Sequence, residues 1–272
     1  MNHNRIIAIA NQKGGVGKTT TCVNLAAAFA GRKYRVLLVD LDPQGNATTG
    51  CGIDPRRLHV SACEVLLGER PIEETLLRPE NLGFDLLPAN GDLTAAEVAL
   101  LQQDNREFAL KRALQPLLAR YAWILIDGPP SLNMLTLNAL AAADSVLIPV
   151  QCEYYALEGL SALLNTLEQV RASINPELEI EGLLRTMYDG RNNLSDAVSD
   201  QLTENFGDRV YRTLVPRNIR VAEAPSYGLP VLLYDPMSKG ALAHLALAGE
   251  MVRRHEKRVP ANAQRDQALN IA

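Results

Sequence analysis

Seven short and nearly continuous apolar runs punctuate the chain: Arg5–Ala10, Val36–Asp40, Phe84–Pro88, Trp123–Asp127, Ser145–Val150, Ile180–Met187 and Val231–Tyr234. Between them, apolar positions recur at helical spacing over Thr19–Ala30, Ala95–Leu101, Arg106–Arg120, Met134–Ala142, Ala156–Ser173 and Ser195–Phe206. Strands that are apolar throughout, rather than alternating, are strands buried on both faces. The alternation therefore predicts an α/β fold: a doubly wound, mostly parallel sheet with helices on both faces. No repeat or low-complexity linker interrupts it, which predicts one domain over residues 1–258 and a polar C-terminal tail over 259–272, expected to fray.

Composition narrows the class. With 272 residues, 47% hydrophobic and 21% charged, the chain is neither disordered nor fibrous. The net charge of −4 means that any contact with nucleic acid must use a local basic patch. Cys22, Cys51, Cys63 and Cys152 lie far apart without a CxxC pair, as expected of reduced structural thiols in a cytoplasmic protein. No apolar run approaches the roughly 18 residues of a membrane span, and the start leads into the first strand without the apolar core of a signal peptide.

The first strand runs into Asn11-Gln12-Lys13-Gly14-Gly15-Val16-Gly17-Lys18-Thr19-Thr20-Thr21 and then a helix. Gly-Lys-Thr between strand and helix is the mark of a phosphate loop. The glycines let consecutive amides turn towards phosphate oxygens, and the helix adds its N-terminal dipole. Lys18 is then expected to reach the β- and γ-phosphates, with the Thr19 hydroxyl on Mg²⁺. The expected nucleotide-binding set of the loop is Gly14, Gly15, Val16, Gly17, Lys18, Thr19 and Thr20, which the resemblance drawn below extends to Lys13. Lys13, at the head of the loop, departs from the plain motif and by itself reads equally well as a solvated charge.

Two further strands end in carboxylates. Val36–Val39 leads to Asp40-Leu41-Asp42, and Trp123–Ile126 leads to Asp127, and ligands of open α/β sheets collect at the carboxyl ends of strands. Of Asp40 and Asp42, one can bind hydrated magnesium while the other orients water. Asp127 fits the strand-end carboxylate that holds Mg²⁺ in phosphoryl transfer, a reaction that asks mainly for positioning and charge neutralisation.

The segment KGGVGKTT resembles the deviant Walker A motif of the ParA/Soj/MinD class of P-loop ATPases. Pro149–Leu160, Met187–Leu194, Pro216–Arg220 and Glu223–Gly228 resemble stretches of the short, chromosomal ParA/Soj proteins, so that the resemblance runs from Arg5 to about Arg254. Gly128 stands where family members often have Cys. The resemblance implies an ATPase using ATP and Mg²⁺, in which Lys13 reaches the partner's phosphates across a sandwich homodimer. It also implies that Asp42 orients the attacking water, that Asp40 and Asp127 lie by the metal with Thr19, and that Met187, Pro216 and Asn218 line the base. Arg191 and Arg220 match positions that contact DNA without sequence preference, and a ParB/Spo0J-like protein is the implied partner in a nucleoid-associated cycle. Lys239, Arg253, Arg254, Lys257 and Arg258 are weaker candidates for DNA. A membrane-bound MinD-like role would ask for an amphipathic C-terminal helix, and residues 259–272 show no basic and apolar face. A nitrogenase-type iron protein would ask for a cysteine pair near the dimer axis, and the cysteine positions do not suggest one.

Overall fold

The computed structural model describes the backbone of residues 4–269 and the side chains of residues 4–257, so the expected polar tail, 259–272, lies outside the residues whose side chains are described. Six strands, β1 (Arg5–Ile9), β2 (Val36–Asp40), β3 (Asp85–Leu87), β4 (Trp123–Asp127), β5 (Ser145–Gln151) and β6 (Glu179–Thr186), form one sheet in the order β3-β2-β4-β1-β5-β6. Every pairing between them is parallel. The longer helices are α1 (Lys18–Gly31), α2 (Leu93–Leu100), α3 (Met134–Ala142), α4 (Ala156–Ser173), α5 (Asn193–Phe206) and α6 (Lys239–Leu269), and shorter helical turns join the rest.

Alternate residues of each central strand feed two separate cores, which is why these strands are apolar throughout. Ile6, Ala8, Leu37, Val39, Ile124 and Ile126 pack with α2 to α5, whereas Ile7, Ile9, Val36, Leu38, Trp123 and Leu125 pack with α1 and α6. On the second face Phe29 of α1 stacks on Trp123 with centroids 4.3 Å apart, fixing α1 over β4. That contact sets where the N-terminus of α1 points.

The sequence pattern misleads in three places. Val231–Tyr234, expected as a strand, is a helical turn: Pro230 sets its start, the Tyr234 amide donates to Pro230 O at 3.0 Å, and the Val231 amide donates to Asn24 Oδ1 at 2.7 Å. Four apolar residues carry too little periodicity to tell the two states apart. The helix expected over Arg106–Arg120 is broken into a 3₁₀ turn, a six-residue helix Ala109–Leu114 and a second 3₁₀ turn, Gln115–Leu117, since Pro116 supplies no amide and blocks continuation. The third is α6, which the helical segments read from the sequence leave out although apolar positions recur along its first half. Beyond β6, residues 210–216 run parallel to it through the isolated bridges Leu183–Val210 and Tyr188–Pro216.

Candidate active site

β2, β4 and β1 are neighbours, so their carboxyl ends bring Asp40, Asp127 and the residues after Ile9 side by side; Asp40 and Asp127 are partners in register. The loop after β1 turns into α1 at Gly17, whose φ of 89° is a left-handed conformation that a side chain would strain. No side chain caps α1, so its first amides stay free to meet an anion. The loop is braced from behind: Asn11 Nδ2 donates to Pro149 O (2.7 Å), and Thr186 Oγ1 at the end of β6 donates to Val16 O (2.8 Å).

Lys18 lies inside this loop, buried, with its ammonium donating to Lys13 O at 3.3 Å. Burial lowers its pKa, and Asp127 and Asp42 oppose the shift. The carboxylates feel the reverse. Asp127 is fully buried; its Oδ1 accepts from the Cys22 thiol at 3.6 Å, and its Oδ2 has no hydrogen-bond partner among the described residues. Burial, and after it the adjacent Asp40, push the Asp127 carboxyl up to about 8. Burial also raises Asp40 to about 6, against hydrogen bonds from Thr48 and the Asp42 amide. Three acids and one ammonium out of water form an unbalanced set, and an acid oxygen without a partner among the described residues is what a divalent cation would complete.

Asp40 and Asp42 are held differently. Asp40 Oδ2 accepts from Thr48 N (2.8 Å) and Thr48 Oγ1 (2.7 Å), while Oδ1 accepts from Asp42 N (3.1 Å). Both its oxygens are therefore engaged in fixing the loop that carries Asp42. The Asp42 carboxylate accepts from Gln44 N (3.0 Å), and the residue is 8% exposed. Asp40 thus has hydrogen-bond partners at both oxygens, whereas Asp127 Oδ2 has none among the described residues. Thr48, whose hydroxyl also accepts from Ala89 N at 2.9 Å, belongs to no motif that a sequence reading could find.

The remaining expected residues lie further out. Lys13 points away from its own loop to Glu153 Oε2, at 2.9 Å, and Gly14 has open space around it. Met187 follows β6 with a φ of 49°, unusual for a residue with a side chain, and its Cε lies close to Gly17. The Tyr188–Pro216 bridge brings Met187 and Pro216 to one edge. Asn218 joins them but spends its side-chain oxygen capping the turn Ile219–Glu223, accepting from Arg220 N (3.0 Å) and Val221 N (3.2 Å). Arg191 is clamped by Asp189, with Nη2–Oδ2 at 2.8 Å, and Arg220 by Glu223 (2.9 Å) and Asp235 (3.3 Å). Arg254 pairs with Glu250 at 2.7 Å and lies over the Tyr211 ring, an internal strut.

The family model described as an AAA domain matches residues 4–180. The chromosome partitioning protein ParA of Myxococcus xanthus is 54% identical over 94% of this chain and 90% of its own length. The chromosome-partitioning ATPase Soj of Thermus thermophilus is 53% identical over 92% and 96%. Among solved structures, a protein named cobyrinic acid a,c-diamide synthase from Mycobacterium smegmatis, with a bound ATP analogue and magnesium, superposes with a TM-score of 0.82 at 42% identity, covering 93% of this chain and 96% of that one. The phosphate loop, the paired strand-end carboxylates and these likenesses over nearly the whole length agree: the chain belongs to the ParA/Soj family of chromosome-partitioning P-loop ATPases.

Proposed function

We propose that this protein is a DNA-partitioning ATPase that pairs on binding ATP, coats DNA without sequence preference as a dimer, and hydrolyses ATP when a ParB-type partner stimulates it. The observation that carries this reading is the pair of lysines at the two ends of one loop. Lys18 lies inside the loop of its own subunit, and Lys13 is turned out of it to Glu153 and is partly in water, which supports a role for it towards the phosphates of a second copy. Lys18 and the free amides of α1 would bind the β- and γ-phosphates, and Thr19 with Asp127 would hold Mg²⁺. The metal, when bound, neutralises charge on the phosphate oxygens. Asp42, fixed through its own amide by Asp40, orients the attacking water and lowers the entropic part of the barrier by holding it in line. Proton transfer and release then fall to the water and phosphate rather than to a strongly basic side chain.

The buried thiols bear on the likeness to a diamide synthase. Cys22, Cys51, Cys63 and Cys152 are all buried, and burial raises each thiol, Cys63 and Cys152 to about 11. Buried and held as thiols, they are not poised as nucleophiles. No helix among the described residues is long and apolar enough to cross a membrane. A gel shift on unrelated DNA fragments with ATP, ADP and no nucleotide tests the proposal. Retardation that requires ATP is expected; binding independent of nucleotide, or capture by liposomes in place of DNA, overturns it.

A further inference from the structure

We propose that Glu153 is a latch on Lys13, holding the ammonium in the free subunit and setting how much ATP is needed before two subunits pair. This deepens the dimer reading and rests on it. Lys13 Nζ and Glu153 Oε2 are 2.9 Å apart across 140 residues of sequence. Glu153 is itself aimed: Gln151 Nε2 donates to its other carboxylate oxygen, and its amide donates to Gln151 O at 2.8 Å, so that a tight turn at the end of β5 presents the carboxylate towards the loop. Lys13 is anchored at its backbone, where its amide donates to Asn11 Oδ1 at 2.9 Å. The main chain of the loop therefore stays in place whichever way the lysine points, and only side-chain torsions separate the two fates of the ammonium.

One ammonium cannot serve Glu153 and a partner's phosphates together, so pairing must break this ion pair once in each subunit. Both side chains are partly in water, 38% and 48% exposed, which makes the pair weak enough for a triphosphate to displace. The residues after Glu153, Tyr154 and Tyr155, are 75% and 65% exposed, so this corner of the molecule faces solvent. Glu153 acts through Lys13 and is a positioning residue.

The test is sedimentation of the full-length protein over a titration with the non-hydrolysed analogue AMPPNP and Mg²⁺, for wild type, Glu153→Gln, Lys13→Gln and the double variant. Glu153→Gln keeps the hydrogen bond from Gln151 and removes the charge. Because two latches open per dimer, its dimer dissociation constant is expected to fall about 2- to 30-fold, while analogue affinity at monomeric dilution and the melting temperature stay at wild-type values. Lys13→Gln should remain monomeric, and adding Glu153→Gln to it should change nothing. Glu153→Gln subunits that pair as wild type does, or less readily, overturn the latch while leaving Lys13 in its role. Lys13→Gln subunits that pair normally overturn the dimer reading itself.

Discussion

The carboxyl ends of β1, β2 and β4 and the segment between Met187 and Lys239 handle charge in opposite ways. At the strand ends Lys18, Asp40, Asp42 and Asp127 are all under a tenth exposed, and burial pushes the carboxyls of Asp40 and Asp127 up in spite of the hydrogen bonds and the ammonium around them. In the outer segment both arginines expected to meet DNA are in water and paired with an acid within three residues, Arg191 with Asp189 and Arg220 with Glu223. The first region is built at a cost that a bound cation and polyanion offset, so removing one group there should change function by orders of magnitude. The second is already neutral and hydrated, and single changes there should act by small factors.

Lys18→Ala tests the first half of that contrast most severely. It removes the ammonium from the centre of the loop, together with the charge-assisted hydrogen bonds it would make to two phosphates. ATP affinity measured by calorimetry is expected to fall roughly 10²- to 10⁴-fold. Binding within a few-fold of wild type would mean that the buried lysine is structural. Asp42→Ala should separate binding from chemistry. Asp40 keeps its bonds to Thr48 and to the backbone at position 42, so the loop holds its shape. Nucleotide affinity should then stay within a few-fold while turnover drops by about 100-fold or more, the range for losing a group that positions or activates water.

The two regions also differ in how far they could be read from sequence. Val36–Asp40 and Trp123–Asp127 coincide with observed strands, because strands buried on both faces have few alternatives to a continuous apolar run. The phosphate loop was legible for a similar reason: three glycines and a lysine at fixed spacing satisfy one backbone geometry. What could not be read is how each acid is held, since that depends on Thr48, eight residues away from Asp40, and on the register that sets Asp127 beside it. In the outer segment the short turns Ile219–Glu223 and Val231–Tyr234 owe their helical form to Asn218 and Pro230 at their starts and to contacts with α1, none of which a four-residue apolar run announces.

A glycine pair ties the two regions together. Gly52, with a φ of 80°, and Gly228, with a φ of 64°, meet backbone to backbone, and a Cβ on Gly228 would lie 2.4 Å from the Gly52 Cα. Gly228→Ala therefore adds both left-handed strain and a clash that no side-chain rotation relieves. It should cost about 2–4 kcal/mol, a melting temperature roughly 5–15 °C lower by calorimetry. Gly14→Val is the matched control. Nothing lies within 4 Å of a Cβ there, so the melting temperature should hold while the bulk beside Lys13 blocks pairing with ATP. If Gly228→Ala melts as wild type does, the outer segment shifts more freely than its packing on Gly52 implies.

The smallest effects are expected from the arginines, and their sign is informative. Replacing Arg191 or Arg220 by Glu should weaken binding to unrelated DNA sequences alike, because backbone contacts carry no base information, and should flatten the slope of log affinity against log salt by about 1 for each phosphate left without its arginine. Each arginine, however, is already shared with an acid: Arg191 holds the Asp189 carboxyl down to about 2, and Arg220 bonds to both Glu223 and Asp235. A phosphate must compete with those acids for the guanidinium. Asp189→Asn, which keeps the side chain's shape and removes the charge, should therefore tighten DNA binding a few-fold in a filter-binding titration with ATP, and Glu223→Gln should do so less, since Asp235 still pairs with Arg220. ATP turnover without DNA should be unchanged in both, as neither acid touches the phosphate loop. If removing the acids leaves DNA affinity and salt slope unaltered, the two arginines do not meet phosphate, and the basic patch moves to Lys239, Arg253 and Lys257, all of them exposed.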